Sequence, residues 1–238
     1  MMNPELLAYS EAHSTPESPV LEKLNRETHL TQLYPRMLAG QLQGNFLRMV
    51  SQMLQPRRIL EIGTFTGYST ICLAMGLDNA GTPGPSPQKH LTPDPSPEGE
   101  GSTIGSSILH TIEVNPELEG MIRRYLAEAG LEKNVLLHIG NAFEIIPTLG
   151  ETWDLVYIDA DKPNYLNYYK MVFDRLRTGG FLLADNVLWD GKVLKERARL
   201  DKDTRGIVEF NEYVMNDDRA EKMILPFRDG IMMVRKLA

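Results

Sequence analysis

The chain is short of several things at once, and each shortage removes a class of function. Of its 238 residues only Cys72 is a cysteine, so an internal disulfide is impossible and a reducing, cytoplasmic compartment fits. Cys72 follows Ile71 in a helix-like stretch and reads as a plain buried thiol. Basic charge is also scarce: 25 Lys and Arg face 32 Asp and Glu, a formal net charge of −7. That balance argues against a nucleic-acid binder or a protein of anionic membranes. No apolar run approaches the roughly 18 residues that span a bilayer. The opening MMNPELLAYSEAHS lacks the basic and apolar regions of a secretory signal. His29, His90, His110 and His138 show no metal-ligand spacing, so no chemistry is assigned to them.

What is present suits one α/β domain over residues 1–238, long enough to bury a substantial core. The first ~55 residues carry apolar side chains at the three- and four-residue spacing of helices, with Ser18 placed to cap the second one. RRILEIGTF, ILHTIEV, NVLLHIGNA, WDLVYIDA and GGFLLADNV are short β-rich runs. Between them GYSTICLAMGL, PELEGMIRRYLAEAG, AFEIIPTLG and PNYLNYYKMVFDRLRTG read as helical. Such alternation predicts a parallel sheet with helices on both faces. At the end AEKMILPFRDGIMMVRKL looks like two strands around an Arg228-Asp229-Gly230 turn, an antiparallel edge hairpin in which Asp229 is a turn residue. A proline- and glycine-rich stretch at about 79–105 has no apolar periodicity and is far longer than an ordinary connection. It reads as an insertion, either a passive decoration or a flap or oligomer contact near the site.

Two of the strand-like runs deliver acidic and amide groups at their C-terminal ends: Asp159 and Asp161, then Lys162, from the first, and Asp185 and Asn186 from the second. Ligands of open parallel sheets bind outside those ends. If the two strands are neighbours, Asp159, Asp185 and Asn186 supply three oxygen ligands for a hard divalent cation, with Lys162 beside them. Asp161 reads equally well as a solvated strand end. LEIGTFTGYST adds a strand, a tight turn from Gly63 to Gly67 and a helix start that offers free amide donors. Glu113 ends the next strand 46 positions beyond Gly67; taking out residues 80–105, which number 26, leaves 20. An acid about 20 residues past such a turn sits on ribose hydroxyls. Neither Gly-x-Gly-x-x-Gly nor a Gly-Lys-Ser/Thr phosphate loop is present, which disfavours a nicotinamide enzyme. Glu61 would repel a pyrophosphate and suits a positive ammonium or sulfonium, which points to S-adenosylmethionine.

With these motifs the chain resembles the cation-dependent class I O-methyltransferases, the group of caffeoyl-CoA and catechol O-methyltransferases. The matching segments are MLAGQLQGNFL, LEIGTFTGYST, the acid of TIEV, GNA, IDADKPNYLNYY, LRTGG, ADNVLWDGKV and LPFRDGI, nearly the full length outside the insertion. The resemblance implies a Rossmann-like, doubly wound, mostly parallel seven-stranded sheet with an antiparallel C-terminal edge hairpin and extra N-terminal helices. It also implies that Met37 and Ala39 flank the methionine part of S-adenosylmethionine, while Glu61, Gly63, Thr64, Phe65 and Ser69 line its loop. Glu113 would hold the ribose and Ala142 would lie at the adenine. Asp159, Asp185 and Asn186 match the family's metal ligands, Mg²⁺ being the expected ion, and Asp159 would border the cofactor as well.

The expected reaction is methylation of one hydroxyl of a catechol-type o-diphenol, with Lys162 taking the phenolic proton. Trp189 is either a wall against the aromatic substrate or ordinary core, and Tyr165, Tyr168 and Tyr169 read as helix packing. A caffeoyl-CoA-type ester is the alternative acceptor, but Lys195, Arg197, Arg199 and Arg205 are interleaved with acids, which favours a small catechol. A non-catalytic cofactor-binding module is the other alternative; retention of all three presumed ligands and of Lys162 argues against it. The N-terminal helices are expected to cover the site and to form a homodimer contact.

Overall fold

The structure, a computed structural model, describes residues 4–77 and 107–237. The insertion expected at about 79–105 lies outside the described residues. Three helices come first, α1 (Pro4–Ala12), α2 (Pro19–Thr31) and α3 (Gly40–Leu54), as the apolar spacing predicts. Ser18 stands at the N-cap of α2, but its hydroxyl makes no capping bond; Pro19, with φ already set for a helix, begins the first turn. In α3 the buried face carries Gln43, Gly44, Leu47, Val50 and Ser51.

Seven strands follow: β1 (Arg58–Ile62), β2 (Ile108–Glu113), β3 (Val135–Ile139), β4 (Trp153–Ile158), β5 (Leu176–Ala184), β6 (Ala220–Leu225) and β7 (Ile231–Lys236). Their order is β3-β2-β1-β4-β5-β7-β6. The first five run parallel, and β7 lies antiparallel to both β5 and β6. This is the mostly parallel, doubly wound sheet with an antiparallel edge hairpin. The helices α4 (Tyr68–Ala74), α5 (Glu119–Glu128), α6 (Ala142–Ile145), α7 (Tyr165–Phe173) and α8 (Lys202–Met215) complete it. No helix among the described residues is long and apolar enough to cross a membrane.

Because successive strand residues face opposite sides, each central strand feeds two cores. Ile59, Leu155 and Leu183 join Leu24, Leu47, Ile71 and Tyr125 of α2 to α5. Leu60, Val156, Ile158 and Leu182 join Ile146, Tyr169, Val172 and Phe210 on the face covered by α6, α7 and α8. Burial on both faces is why these strands read as nearly continuous apolar runs.

One expectation needs correction. Helix α7 stops at Phe173 and β5 starts at Leu176, not at Gly179. Trp153 N donates to Arg175 O at 2.8 Å, so pairing begins early, across an irregularity between Trp153 and Leu155. The segment after Trp189, to which the apolar spacing assigns no element, contains α8. Asp201 caps that helix by accepting from Thr204 N at 2.7 Å, and Ile207, Phe210 and Val214 give it a buried stripe.

The chain leaves β1 for β2 on one side and returns as β4 on the other. That reversal, at the carboxyl ends of β1 and β4, is where an open α/β sheet leaves a crevice.

Candidate functional site

The loop after β1 turns through Gly63 at φ +100° and Gly67 at φ +94°, a region only glycine enters freely. Space is the second constraint at Gly63: a Cβ there would lie 2.0 Å from the Asp159 carbonyl oxygen. The ends of β1 and β4 can therefore touch only because position 63 has no side chain. Phe65, also left-handed at φ 51°, donates its N–H to Glu113 Oε2 at 2.7 Å, and Asn115 N donates to Oε1 at 2.8 Å. The buried Thr64 hydroxyl meets that of Thr111 at 2.5 Å. Glu113 thus closes the loop from the neighbouring strand, and burial raises its carboxyl above the ordinary range. Gly140 N donates to Glu113 O at 2.8 Å, which brings Ala142, buried at the start of α6, to the same end of the sheet.

Beneath the loop Glu61 is fully buried. Its Oε2 accepts from Thr70 at 2.5 Å and Thr111 at 2.7 Å, and the buried Ser69 lies beside it at the start of α4. Desolvation pushes the carboxyl up to about 7. Oε1 has no hydrogen-bond partner. A buried acceptor left open in this way suits a ligand that brings N–H donors and positive charge. Met37 and Ala39 lie on the segment entering α3; Met37 is exposed and Ala39 buried.

The second half of the site forms where β4 and β5 end side by side, Ile158 paired with Ala184. Asp185 N donates to Ile158 O at 2.9 Å, so Asp159 and Asp185 leave the sheet at the same level. Lys162 Nζ, 8% exposed, donates to Asp159 Oδ1 at 2.9 Å and to Tyr165 Oη at 2.6 Å. Tyr165 is therefore more than helix packing, since its hydroxyl holds the lysine. Burial, then the Asp159 charge, raises the Tyr165 phenol well above its usual range, so the hydroxyl stays protonated. Asp161 turns away from this cluster and accepts from Asn164 Nδ2 and Tyr168 Oη, both at 2.5 Å. Its role is to hold the turn.

Asn186 follows Asp185 in the left-handed region at φ 59°, which asparagine tolerates better than most residues. Trp189 and Asp190 share that conformation, at φ 46° and 52°. The β6–β7 turn holds this loop: Val187 N donates to Gly230 O at 3.0 Å, Leu188 N to Asp229 O at 2.9 Å, and Asp190 N to the Asp229 carboxylate. Asp229 is a turn residue, as expected, but its turn clamps the loop that follows Asp185 and Asn186. The Trp189 ring has Lys162 Nζ 5.6 Å and Lys192 Nζ 5.4 Å from its centroid, and its indole N–H has no partner.

Motif reading leaves out Gln43, Tyr157 and Arg228. Gln43 Nε2 donates to Asp185 Oδ2 at 2.5 Å and to Tyr157 Oη at 2.9 Å, and its Oε1 accepts from Arg228 Nη1 at 2.9 Å. The available signals are faint: one amide inside the buried stripe of α3 and one phenol inside an apolar strand.

Among the described residues no group of three or more His, Cys, Asp or Glu side chains is arranged to hold a metal. Asp159, Asp185 and Asn186 are instead two carboxylates and an amide. All are hard oxygen donors, a set that fits Mg²⁺ or a similar ion completing its shell with water and substrate oxygens.

The family model described as O-methyltransferase matches residues 11–83 and 105–237. The catechol O-methyltransferase of Niastella koreensis is 33% identical over 69% of this chain, and the match spans 64% of that enzyme. Caffeoyl-CoA O-methyltransferase 2 of Populus trichocarpa is 26% identical over 93% of this chain and 84% of its own length. Among solved structures, the O-methyltransferase TomG of Streptomyces achromogenes, in complex with S-adenosylmethionine, superposes with a TM-score of 0.82 at 26% identity. That match covers both chains in full.

Proposed function

This chain belongs to the O-methyltransferase family, and on that premise we propose that it moves a methyl group from S-adenosylmethionine to one hydroxyl of a small o-diphenol, with Mg²⁺ or a similar cation. The observation that carries the reading is the meeting of two strand ends, where Asp159 with Lys162 faces Asp185 with Asn186 beside the β1 loop. Glu61, Gly63, Thr64, Phe65, Ser69 and Glu113 form the cofactor side, with Met37, Ala39 and Ala142 at its margins. The open Glu61 Oε1 suits the positively charged methionine end, and Glu113 the ribose hydroxyls.

Asp159, Asp185 and Asn186 would hold the cation. When bound, the cation lowers the pKa of a phenolic hydroxyl and orients it, and the cofactor supplies an electrophilic methyl. Lys162 Nζ, placed by Asp159 and Tyr165, takes the proton from that hydroxyl when it stands there as the neutral amine, since an ammonium has no lone pair to accept one. Trp189, backed by the clamped loop, supplies a flat wall for the aromatic ring. Holding two reactants in line contributes on the order of 7–11 kcal/mol to lowering a barrier, so much of the catalysis is positioning.

A CoA ester is the competing acceptor, since relatives that align along nearly the whole chain act on one by name. Two of the four cations weighed for a CoA tail are held by acids: Arg197 pairs with Glu212, and Arg199 lies 3.4 Å from Glu196. That favours the small catechol. The protein is also proposed to be a homodimer, for which light scattering on the eluted protein is the check.

The deciding assay is methyl transfer to protocatechuate with Mg²⁺ and with EDTA, for wild type and Asp159→Ala. The expected outcome is metal-dependent turnover that falls at least ~100-fold in the variant. Turnover indifferent to EDTA would sink the metal reading, and much better turnover of caffeoyl-CoA would sink the small-catechol reading.

A further inference from the structure

Asp185 is held on nearly every side. Its Oδ2 accepts from Gln43 Nε2 at 2.5 Å and from Tyr157 Oη at 3.2 Å, while Oδ1 accepts from Asn186 N at 2.7 Å. A carboxylate offers about four acceptor positions. Three are filled, and the one left open is on Oδ1.

One of these restraints comes from Gln43, 2% exposed in α3. Its amide has only one workable orientation. Arg228 Nη1 donates to Gln43 Oε1 at 2.9 Å, and a guanidinium can only donate, whereas an ionised carboxylate can only accept. A flipped amide would set Oε1 against Asp185 and its NH₂ against Arg228, two faults at once. With Oε1 committed to Arg228, both Nε2 hydrogens go inward, to Tyr157 Oη and Asp185 Oδ2. Tyr157, fully buried, passes its own hydrogen to the same Oδ2.

We propose that Gln43, oriented by Arg228, is a positioning residue that locks the Asp185 carboxylate so that Oδ1 alone faces a divalent cation. The chain Arg228–Gln43–Asp185 ties the C-terminal hairpin turn and the N-terminal helix α3 to one ligand. Without it Asp185 keeps only the bonds from Tyr157 Oη and Asn186 N, and the added freedom of its carboxylate would weaken metal affinity. This inference rests on the metal-dependent reading above.

The test is Mn²⁺ binding by the full-length chain, followed by titration calorimetry and by the electron paramagnetic resonance of free and bound Mn²⁺. It uses wild type, Gln43→Met, Arg228→Met and Asp185→Ala. Gln43→Met keeps the side chain's length and removes its hydrogen bonds. Its Mn²⁺ Kd is expected to rise about 10-fold or more, the usual loss when an outer partner of a metal ligand is removed. The bound-ion spectrum should change, and S-adenosylmethionine affinity should stay as in wild type. Arg228→Met should show a smaller rise in the same direction. A folded Gln43→Met that binds Mn²⁺ as tightly as wild type, with the same spectrum, overturns the proposal and leaves the metal reading intact. If Gln43→Met does not fold, the exposed Arg228 carries the test, and unchanged affinity in Arg228→Met overturns the chain. Wild type that binds no Mn²⁺ overturns the metal reading itself, and the proposal with it. Asp185→Ala binding as well as wild type removes Asp185 from the site and overturns the proposal too.

Discussion

At Glu61 a carboxyl group lies buried under the β1 loop with one oxygen unpartnered, and burial pushes it up to about 7. A cationic ligand beside it favours the ionised form, so ligand binding and proton release are linked. The sign follows: below about pH 7 the free protein holds the proton and must release it to bind. S-adenosylmethionine affinity is therefore expected to weaken as pH falls from 8 to 6, and calorimetry in buffers of different ionisation enthalpy should register a released proton. Glu61→Gln should flatten that pH dependence and bind more weakly at pH 8. An unchanged pH profile in Glu61→Gln would remove Glu61 from this role. Glu61 was legible in the sequence because a strand that ends in Glu-x-Gly announces its own turn. Its hydroxyl partners were only half visible: Thr70 is nine residues away, but Thr111 comes from another strand.

Helix α8 decides where Lys162 sits. Gly206 faces the Lys162 turn so closely that a Cβ would lie 2.5 Å from Lys162 O and 2.6 Å from Pro163 Cα. Both contacts are with backbone, which cannot swing aside as a side chain can. On helix propensity alone Gly206→Ala would add roughly 1 kcal/mol of stability. Here the clash outweighs that gain, and a net loss of about 1–3 kcal/mol is expected, read by denaturant unfolding. Turnover should fall while cofactor affinity holds, because the displaced element carries Lys162 and not the β1 loop. A variant as stable and active as wild type would mean that α8 is looser than its packing. Most elements follow from periodicity, since two-faced burial makes strands apolar throughout. Helix α8 escaped because its charges mask a stripe of Ile207, Phe210 and Val214, although Asp201 three residues before Thr204 is a legible cap. The early start of β5 escaped because Leu176 is buried there by Trp153 of another strand.

Across the sheet, His110 Nδ1 and His138 Nε2 meet at 3.1 Å with their rings stacked, and the edge of Trp153 lies against His110. One proton serves the contact, and burial holds both imidazoles below the ordinary histidine range. Their folded values are depressed, so the sign is that of a group favoured neutral in the fold. The unfolded chain takes up protons near pH 6.5 and the folded pair takes them up only at lower pH. Stability from this pair is fully present above ~6.5 and is lost as pH falls toward the folded values. Thermal unfolding is expected to show a Tm that drops between about pH 6.5 and 5, with a shallower slope in His138→Gln. An equal slope in that variant would assign the acid loss elsewhere. Neither histidine shows a metal-ligand pattern in the chain, and their pairing exists only through the register of β2 against β3.

The same division runs through the candidate site. Asp159 with Lys162, Asp185 with Asn186, and Glu61 with Gly63 are near neighbours in the chain. A strand that ends at the edge of a parallel sheet delivers successive residues to one place, so their chemistry can be read from the letters. Gln43 and Asp185 stand 142 positions apart, and Gln43 and Arg228 185 apart. No local pattern encodes those meetings, because they depend on how α3 packs across the sheet and where the β6–β7 turn folds back. The sequence carries these side chains and the family's class of reaction, while the packing of distant elements sets the orientation of each side chain and the shape of the space around it.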